Sequence, residues 1–425
     1  MSERPSDPGI IFRGRESSVP HWEVSPGAEQ FKIGRVVARQ RRRRGMSQEV
    51  LSGLVGRSAD WLSKVENGRI PLDRVSVIEA LATALKVPVS ELFAGTIEVA
   101  GDSGTTTDGI LGIRAALSDY QLALPETHDD VEVIATQVNQ LWTACQNGRH
   151  DSAFQQFPHL LRKAQGTALA AGGGDRRRAK SLVAMIYHAA EFSLTKMGDP
   201  KLAWLAADRG LTAAKESEDP AVVGSLLRAV SHSLLSDGQL NAAKQLVVQA
   251  ADYLQPGLRS ADEAYWSVYG TLFLGGAVAA ARSQDHESTR TFLAEAQEAT
   301  RFVDSRSNHL WTSFGSANLD IHRVATAVEL GDLQQAMELG PRVDLSNLPI
   351  ERRVRHSLET ARAFDTAGRR ADALEIIVRT ERSAPTQVRE HFISRELVSR
   401  MVRTSRRQPG ADLAGLVSRM RLVID

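Results

Sequence analysis

Cysteine, aromatic residues and long apolar runs are all scarce in this chain of 425 residues. Its one cysteine, Cys145, cannot form an internal disulfide, which favours an intracellular protein. No apolar run approaches the ~18 residues that span a bilayer, and the first residues lack the apolar core of a signal peptide. Lysine is scarce too, because 9 of the 52 basic residues are Lys and the rest are Arg, a bias typical of GC-rich bacterial genomes. We therefore expect a cytoplasmic bacterial protein that does not enter a membrane.

The groupings of residues that carry catalysis or bind metals are missing as well. The 11 histidines are scattered and form neither a His-x-x-x-His pair nor a Cys/His cluster at metal spacing. The glycine-rich stretch AGGGD at 171–175 lacks the Lys-Ser/Thr of a phosphate-binding loop, and Cys145 has no base beside it in the sequence. The sequence thus predicts no enzyme, no metal site and no cofactor.

A net charge of +1 conceals an uneven distribution. Residues 29–95 contain 12 Lys or Arg and 7 Asp or Glu, a balance of +5, whereas residues 1–28 carry −1 and residues 96–425 carry −3. At roughly 150 residues per domain, the length allows two or three domains. A small basic domain joined to a larger, mildly acidic one indicates that a polyanion binds the first domain.

Composition divides the chain into four segments. Residues 1–28 are rich in Pro, Ser and Gly and predict a disordered arm, and the Gly/Thr-rich residues 96–109 predict a linker. Residues 29–95 predict five short helices, with Ser47 and Ser58 as N-caps of the second and third and Pro88 at the start of the fifth. Residues 110–425 are Ala-rich, with helical periodicity and no alternating strand pattern. The predicted fold class is therefore all-α.

A short spacing recurs along residues 110–425. In five places a turn glycine is followed five residues later by alanine, and a sixth, degenerate copy has Gln284 and Thr289. Glycine provides the left-handed turn between two antiparallel helices, and a small side chain lets the second helix lie close to the first. The spacing resembles tetratricopeptide repeats, although its intervals are longer. It favours an α-solenoid of helix hairpins over an Ala-rich bundle without repeat order. The five pairs are Gly148–Ala153, Gly198–Ala203, Gly238–Ala243, Gly331–Ala336 and Gly368–Ala373.

The segment SQEVLSGLVGRSADWLSKVENGR at 47–69 predicts two short helices joined by a turn at Gly56. It is preceded by GM, has apolar residues at Leu51, Val55, Leu62 and Val65, and ends in VENGR. With these residues, 29–95 resembles the lambda-repressor-like helix-turn-helix domain of the Cro and xenobiotic-response-element type. The resemblance implies that the second helix of the motif enters the major groove of double-stranded DNA.

The same resemblance implies roles for single residues. Lys64 can donate to guanine O6 or N7, and Asp60 either accepts from cytosine N4 or acts as a charge at the helix N-terminus. Arg41 and Glu66 fall at a pair that locks the first helix of the domain to the DNA-reading helix, an exposed pair of modest energy. Gln48 falls where the family contacts phosphate and braces that helix. The full set of expected DNA-binding residues is Gln48, Arg57, Ser58, Ala59, Asp60, Ser63, Lys64 and Arg69, with Arg57 and Arg69 holding the backbone.

A candidate ligand site lies in SFGSANLDIHRVATAVELGD at 313–332. Phe314, Asn318 and His322 are spaced i, i+4 and i+8, which places them on one helix face beside Arg323. An aromatic ring, an amide and an imidazole on one stripe can bind a peptide backbone or a small ligand. The alternative is interhelical packing with satisfied polar groups.

The order of the two domains resembles peptide-sensing regulators of Gram-positive bacteria and, more closely, a large set of actinobacterial regulators. Stretches 194–210, 314–332 and 391–403 carry the second likeness. It implies a nucleoid-associated transcription regulator, a homodimer on its DNA operator, whose repeat domain senses a peptide, a small molecule or a protein partner. The alternative is an adaptor whose repeats dock a partner protein, with DNA binding secondary.

Overall fold

The computed structural model describes residues 34, 36–42, 44, 46–67, 69–70, 75–85, 87, 92, 104–118, 127–196, 199–304, 306–403 and 410–422. The chain divides into two compact units, residues 1–101 and 102–425. Within the described ranges every regular element is a helix, so the fold is all-α as predicted. The expected arm at 1–28 lies outside the described residues.

The first unit contains the predicted short helices around one apolar core. Ser47 Oγ accepts from the backbone N–H of Val50 at 3.2 Å, and Ser58 Oγ from that of Trp61 at 3.1 Å, so both predicted N-caps are confirmed. Gly56 turns the chain between them with φ +66°. Of the expected fifth helix only Leu92 is described. The helices are α1 (36–42), α2 (Gln48–Leu54), α3 (Ala59–Glu66) and α4 (Val75–Ala84).

The second unit begins earlier than the sequence predicted. Helix α5 starts at Gly104, so residues 104–109 are helical and not part of a linker; they run straight into the apolar turn that carries the buried Ile113 and Leu117. The helices that follow are α6 (Val131–Gln146), α7 (His150–Ala170), α8 (Gly173–Lys196), α9 (Pro200–Ser217), α10 (Pro220–Ser236), α11 (Leu240–Leu254), α12 (Glu263–Arg282), α13 (His286–Ala299), α14 (Ser316–Leu330), α15 (Leu333–Leu339), α16 (Ile350–Thr366), α17 (Arg370–Ser383), α18 (Pro385–Glu390), α19 (Phe392–Arg403) and α20 (Ala411–Arg419).

Each predicted turn joins the two helices of a hairpin. The turn residue has a left-handed φ wherever it is described, from +58° at Gln284 to +83° at Gly331 and Gly368. The residue five positions later is buried in all six hairpins, with at most 2% of its surface exposed. The pattern of turn and small buried residue is therefore confirmed at the described positions; Gly198 lies outside them.

The first helices of successive hairpins lie side by side and form the inside of the unit. We call these six helices, α6, α8, α10, α12, α14 and α16, the inner helices. Each second helix packs on its own inner helix and on the next one, as in stacked helical repeats. Helix α16 also contacts α6, so the row of inner helices curves back on itself. We call the space that they surround the interior.

Helix α12 (Glu263–Arg282) corrects the expectation that no segment is apolar enough to span a bilayer. Its length and composition pass that test, with a mean hydropathy of 1.2 over 18 residues. Two thirds of that window is buried, because α10, α11, α13 and α14 all pack on this helix. Its apolar character is thus that of a core helix enclosed by neighbours.

Substitution of two glycines tests whether glycine is required in the turns and unfavourable inside the helices. Gly331 has φ +83° and open space around it, so Gly331→Ala should lower the free energy of unfolding by about 1 kcal/mol through backbone strain alone. Gly275 lies inside α12, also with open space around it, so Gly275→Ala should raise that free energy by up to about 1 kcal/mol. Urea unfolding of the full chain measures both; equal effects of the same sign would contradict the assignment.

Candidate functional site

Helix α3 presents the residues expected to read bases, and two of them are paired with each other. Lys64 Nζ lies 2.7 Å from Asp60 Oδ2, one turn along the exposed face of the helix. Asp60 also occupies the first helical turn, so its charge acts on the helix N-terminus as well as on Lys64. Ala59 and Ser63 are half-buried on the same helix. The ammonium of Lys64 thus has a carboxylate partner on the exposed face of α3.

Arginines surround this helix. Arg57 and Arg69 are exposed at its two ends, and the Arg57 guanidinium lies 5.7 Å from the centre of the Trp61 ring. Trp61 itself packs against the core of the unit, so it acts in packing and not as a free stacking surface. In the basic run of α1, Arg41 points inward, whereas Arg39 and Arg42 are exposed.

A buried carboxylate joins the three helices of the motif. Arg41 donates to Glu66 from Nε at 2.6 Å and from Nη2 at 2.8 Å, and Gln48 Nε2 donates to the same carboxylate at 2.7 Å. The side chains of Arg41 and Glu66 are 10% and 4% exposed, so the expectation of an exposed pair is wrong. The Glu66 hydrogen bond is the largest cause of a raised pKa at Arg41. Gly34 allows this approach, because an added Cβ would lie 2.0 Å from the Val65 carbonyl oxygen.

The predicted ligand stripe does not form on one helix face. Helix α14 begins at Ser316, after Gly315 with φ +155°, so Phe314 precedes the helix and fills the space over Gly270 in the core. Asn318 is fully buried, and its Nδ2 donates to the Thr312 carbonyl at 3.4 Å. Arg323 donates to Asp320 and Gln297 on the outer side. Phe314 and Asn318 therefore pack in the core, although Asn318 Oδ1 has no hydrogen-bond partner among the described residues. His322 lies near the charged residues of the interior.

The interior carries charged residues that the sequence reasoning missed. Lys196 on α8 forms an ion pair with Glu351 on α16, across 155 residues of chain. Arg355 donates from Nε to Glu359 at 3.0 Å, and Arg228 on α10 donates from Nη2 to His188 Nε2 at 2.9 Å. The sequence does contain a signal for such residues, namely a charged residue inside an apolar helical stretch, as with Arg228 in GSLLRAVSH. All of these residues lie on inner helices.

Three interior histidines are held neutral. Burial, together with the positive charge of Arg352, lowers the pKa of His322 to about 4. Burial and the charge of Arg228 lower the pKa of His188 well below 6.5. His391, between α18 and α19, has its pKa lowered to about 3 by burial and by Arg355. Because Arg228 can only donate, His188 accepts at Nε2 and donates from Nδ1 to Ser225 Oγ. His322 donates from Nδ1 to the Asn318 carbonyl at 2.8 Å.

The one cysteine of the sequence lies in the same unit, and its thiol is not activated. Cys145 is buried in α6, where burial raises the pKa of its thiol to about 11. Ser193 Oγ donates to its sulfur at 3.3 Å. A thiol with this pKa carries almost no thiolate at neutral pH, so Cys145 is not an activated nucleophile.

Comparisons with known proteins identify the first unit. Residues 32–93 match the family model HTH_31, described as a helix-turn-helix domain. The comparison with curated proteins gives no match. Among solved structures, the crystal structure of Bacillus thuringiensis PlcR in complex with the peptide PapR7 and DNA is 13% identical, over 64% of this chain and 94% of that one, with a TM-score of 0.25. Residues 32–93 are therefore a helix-turn-helix domain, and these comparisons assign no role to the second unit.

Removing one member of the Arg41–Glu66 pair should cost more than an exposed pair does. Arg41→Met leaves the Glu66 carboxylate buried, and we expect it to lower the local stability of α3 by about 3–5 kcal/mol. The double variant Arg41→Met/Glu66→Met should cost less than the sum of the single variants. Amide hydrogen exchange of α3 in the full chain measures this, with the exposed Arg42→Met as control. If the free-energy losses of the two single variants simply add up in the double variant, Arg41 and Glu66 do not stabilise α3 as a pair.

Acid should destabilise the second unit through its neutral histidines. Their folded pKa values lie below the ordinary 6.5, so the unfolded chain binds more protons as the pH falls from about 6.5 towards 4. The stability is complete above that range, and each histidine removes up to about 1.4 kcal/mol per pH unit within it. Thermal unfolding between about pH 7 and pH 4.5 measures the slope. His322→Gln should flatten it, the exposed His286→Gln should not, and identical slopes in both would contradict the assignment.

Proposed function

We propose that this protein is a sequence-specific DNA-binding transcription regulator whose helical second unit senses an effector. The observation that carries the proposal is the outer face of α3, which presents Lys64, Asp60 and Ser63 while Glu66 fixes the inner face to α1 and α2. A reading helix has to be held rigidly, because hydrogen bonds to base edges are directional. The buried carboxylate provides that rigidity.

In this proposal the side chains divide by what they contact on DNA. Lys64 and Asp60 enter the major groove together, with Lys64 on guanine and the carboxylate next to a cytosine amino group. Ala59 and Ser63 line the same face, with the Ala59 methyl suited to a thymine methyl group. Arg57 and Arg69, at the two ends of α3, bind phosphates on either side of the groove. Gln48 braces the helix through Glu66 and keeps its second amide hydrogen for phosphate.

The second unit takes the sensing role in the proposal. Its hairpins share the glycine-turn and small-residue spacing of tetratricopeptide repeats, and its inner helices surround a polar interior. Stacked repeats of this kind bind ligands on their inner face. The effector is a peptide, a small molecule or a protein partner. The regulator acts as a homodimer in the cytoplasm, because one such helix-turn-helix domain buries little surface on DNA.

Two substitutions on α3 test the proposal by selection of binding sites from random DNA with the full chain. Lys64→Ala should cost roughly 1–3 kcal/mol on the best site and little on random DNA, which relaxes the preference. Arg69→Ala should weaken binding to all DNA and lower the salt slope by about one. The matched control is Arg301→Ala, an exposed arginine of the second unit. Equal losses on specific and random DNA in both α3 variants would show that α3 does not read bases.

A further inference from the structure

We propose that Arg228 and Arg352 form a binding site for an anionic group, a carboxylate or a phosphate, in the interior of the helical unit. The proposal rests on the sensing function proposed above and names the chemistry that the effector must carry. It assigns the site to two inner helices, α10 and α16, that are separated by more than a hundred residues of chain.

Arg228 is a charged side chain without a carboxylate partner. Its Nη2 donates to the neutral His188, and its buried Nε has no hydrogen-bond partner among the described residues. No Asp or Glu of the described chain lies within ion-pair distance of its guanidinium, although Glu191 acts on it from farther away. Burial and the charge of Arg352 lower the pKa of Arg228 to about 10. The folded chain thus holds this charge at an electrostatic cost.

Arg352 is nearly as poorly compensated. Its Nε lies 3.8 Å from Glu351 Oε2, which is ion-pair distance and too long for a hydrogen bond. Glu351 is already the partner of Lys196. The remaining interior cation, Arg355, is matched by Glu359. Arg228 and Arg352 are therefore the interior guanidiniums that lack a hydrogen-bonded carboxylate in the described residues.

Apart from Glu351 beside Arg352, no carboxylate of the described residues lies within ion-pair distance of either guanidinium. Glu191, whose charge acts on Arg228, accepts from His232, Ser233 and Thr195 instead. His188 and His322 are neutral. Both arginines are half-buried, so part of each side chain stays accessible. A guanidinium pair in such a place matches an anion with two or more oxygens.

A purely structural role for Arg228 makes a different prediction. A structural arginine stabilises the fold, so its removal lowers the melting temperature. Two guanidiniums that repel each other lower the stability of the fold as long as no anion is bound between them. Such a cost is tolerated in a protein when the residues serve its function. Arg228→Gln keeps a donor for His188 and removes the charge. We expect it to melt no lower than the wild type without added anion.

The test is isothermal titration calorimetry of the full chain without DNA, at constant ionic strength set with chloride. Inorganic phosphate and succinate are the two probes, and the tighter of the two distinguishes a phosphate-bearing from a carboxylate-bearing effector. The variants are Arg228→Gln and Arg352→Gln, and Arg301→Gln, an arginine paired with Glu298 on the exposed surface, is the matched control. Loss of one charge-assisted hydrogen bond should weaken binding by about ten- to a hundredfold in each interior variant.

Binding by the wild type and the control, with the loss in both interior variants, supports the site. Unchanged binding in either interior variant, or no binding of either probe by the wild type, overturns it. A lower melting temperature of Arg228→Gln with unchanged binding gives Arg228 a structural role and also overturns it. The selection of DNA sites by the α3 variants does not depend on the anion titration. A chain that selects DNA sites but binds neither anion would therefore contradict the anion site without contradicting the proposed regulator function.

Discussion

One close contact between helices recurs through the second unit, and the rest of that unit depends on it. Five residues after each turn, a side chain no larger than threonine is buried between the two helices of a hairpin. The distance between packed helices is set by the side chains at the contact, so a small residue there brings the second helix close to the first. The same close approach recurs in all six hairpins. The inner helices follow from that repetition, and so does the interior that they surround.

An interior lined by inner helices has to accommodate the polar residues that those helices carry. Helix α8 is buried continuously from Val183 to Leu194, so the side chains of Glu191 and His188 do not reach solvent. Burying a charge is costly unless it is paired and hydrogen-bonded, and the ion pair of Lys196 with Glu351 meets that condition. It also joins the second hairpin to the sixth. The same pairing that compensates charge therefore helps the row of helices to curve back on itself, and Arg228 is left out of it.

The sequence predicted those parts of the structure that depend on interactions between residues close together in the chain. The two serine N-caps and the left-handed turns follow from residues within one helical turn, and they are where the sequence placed them. The Arg41–Glu66 contact came from a family resemblance, which indicated the partners and not their burial. Phe314 was misplaced because α14 begins only after Gly315, and because Phe314 fills the space over Gly270, a tertiary contact that spacing does not reveal. The interior charges could not be found by spacing, since their partners lie on different hairpins.

The segment between α13 and α14 shows how tertiary contacts override local preference. Leu310, Trp311 and Ser313 all have left-handed φ values, of 46°, 52° and 48°, at a cost of about 1–3 kcal/mol each. Long-range contacts offset that cost: the Trp311 ring stacks on Trp142 with ring centres 5.1 Å apart, and Gln146 Nε2 donates to the Trp311 carbonyl at 3.0 Å. Trp142 in turn meets the edge of His188, the acceptor for Arg228, with ring centres 5.0 Å apart. The strained segment is thus part of one packed series of side chains that runs through Trp142 and His188 and ends at the guanidinium of Arg228.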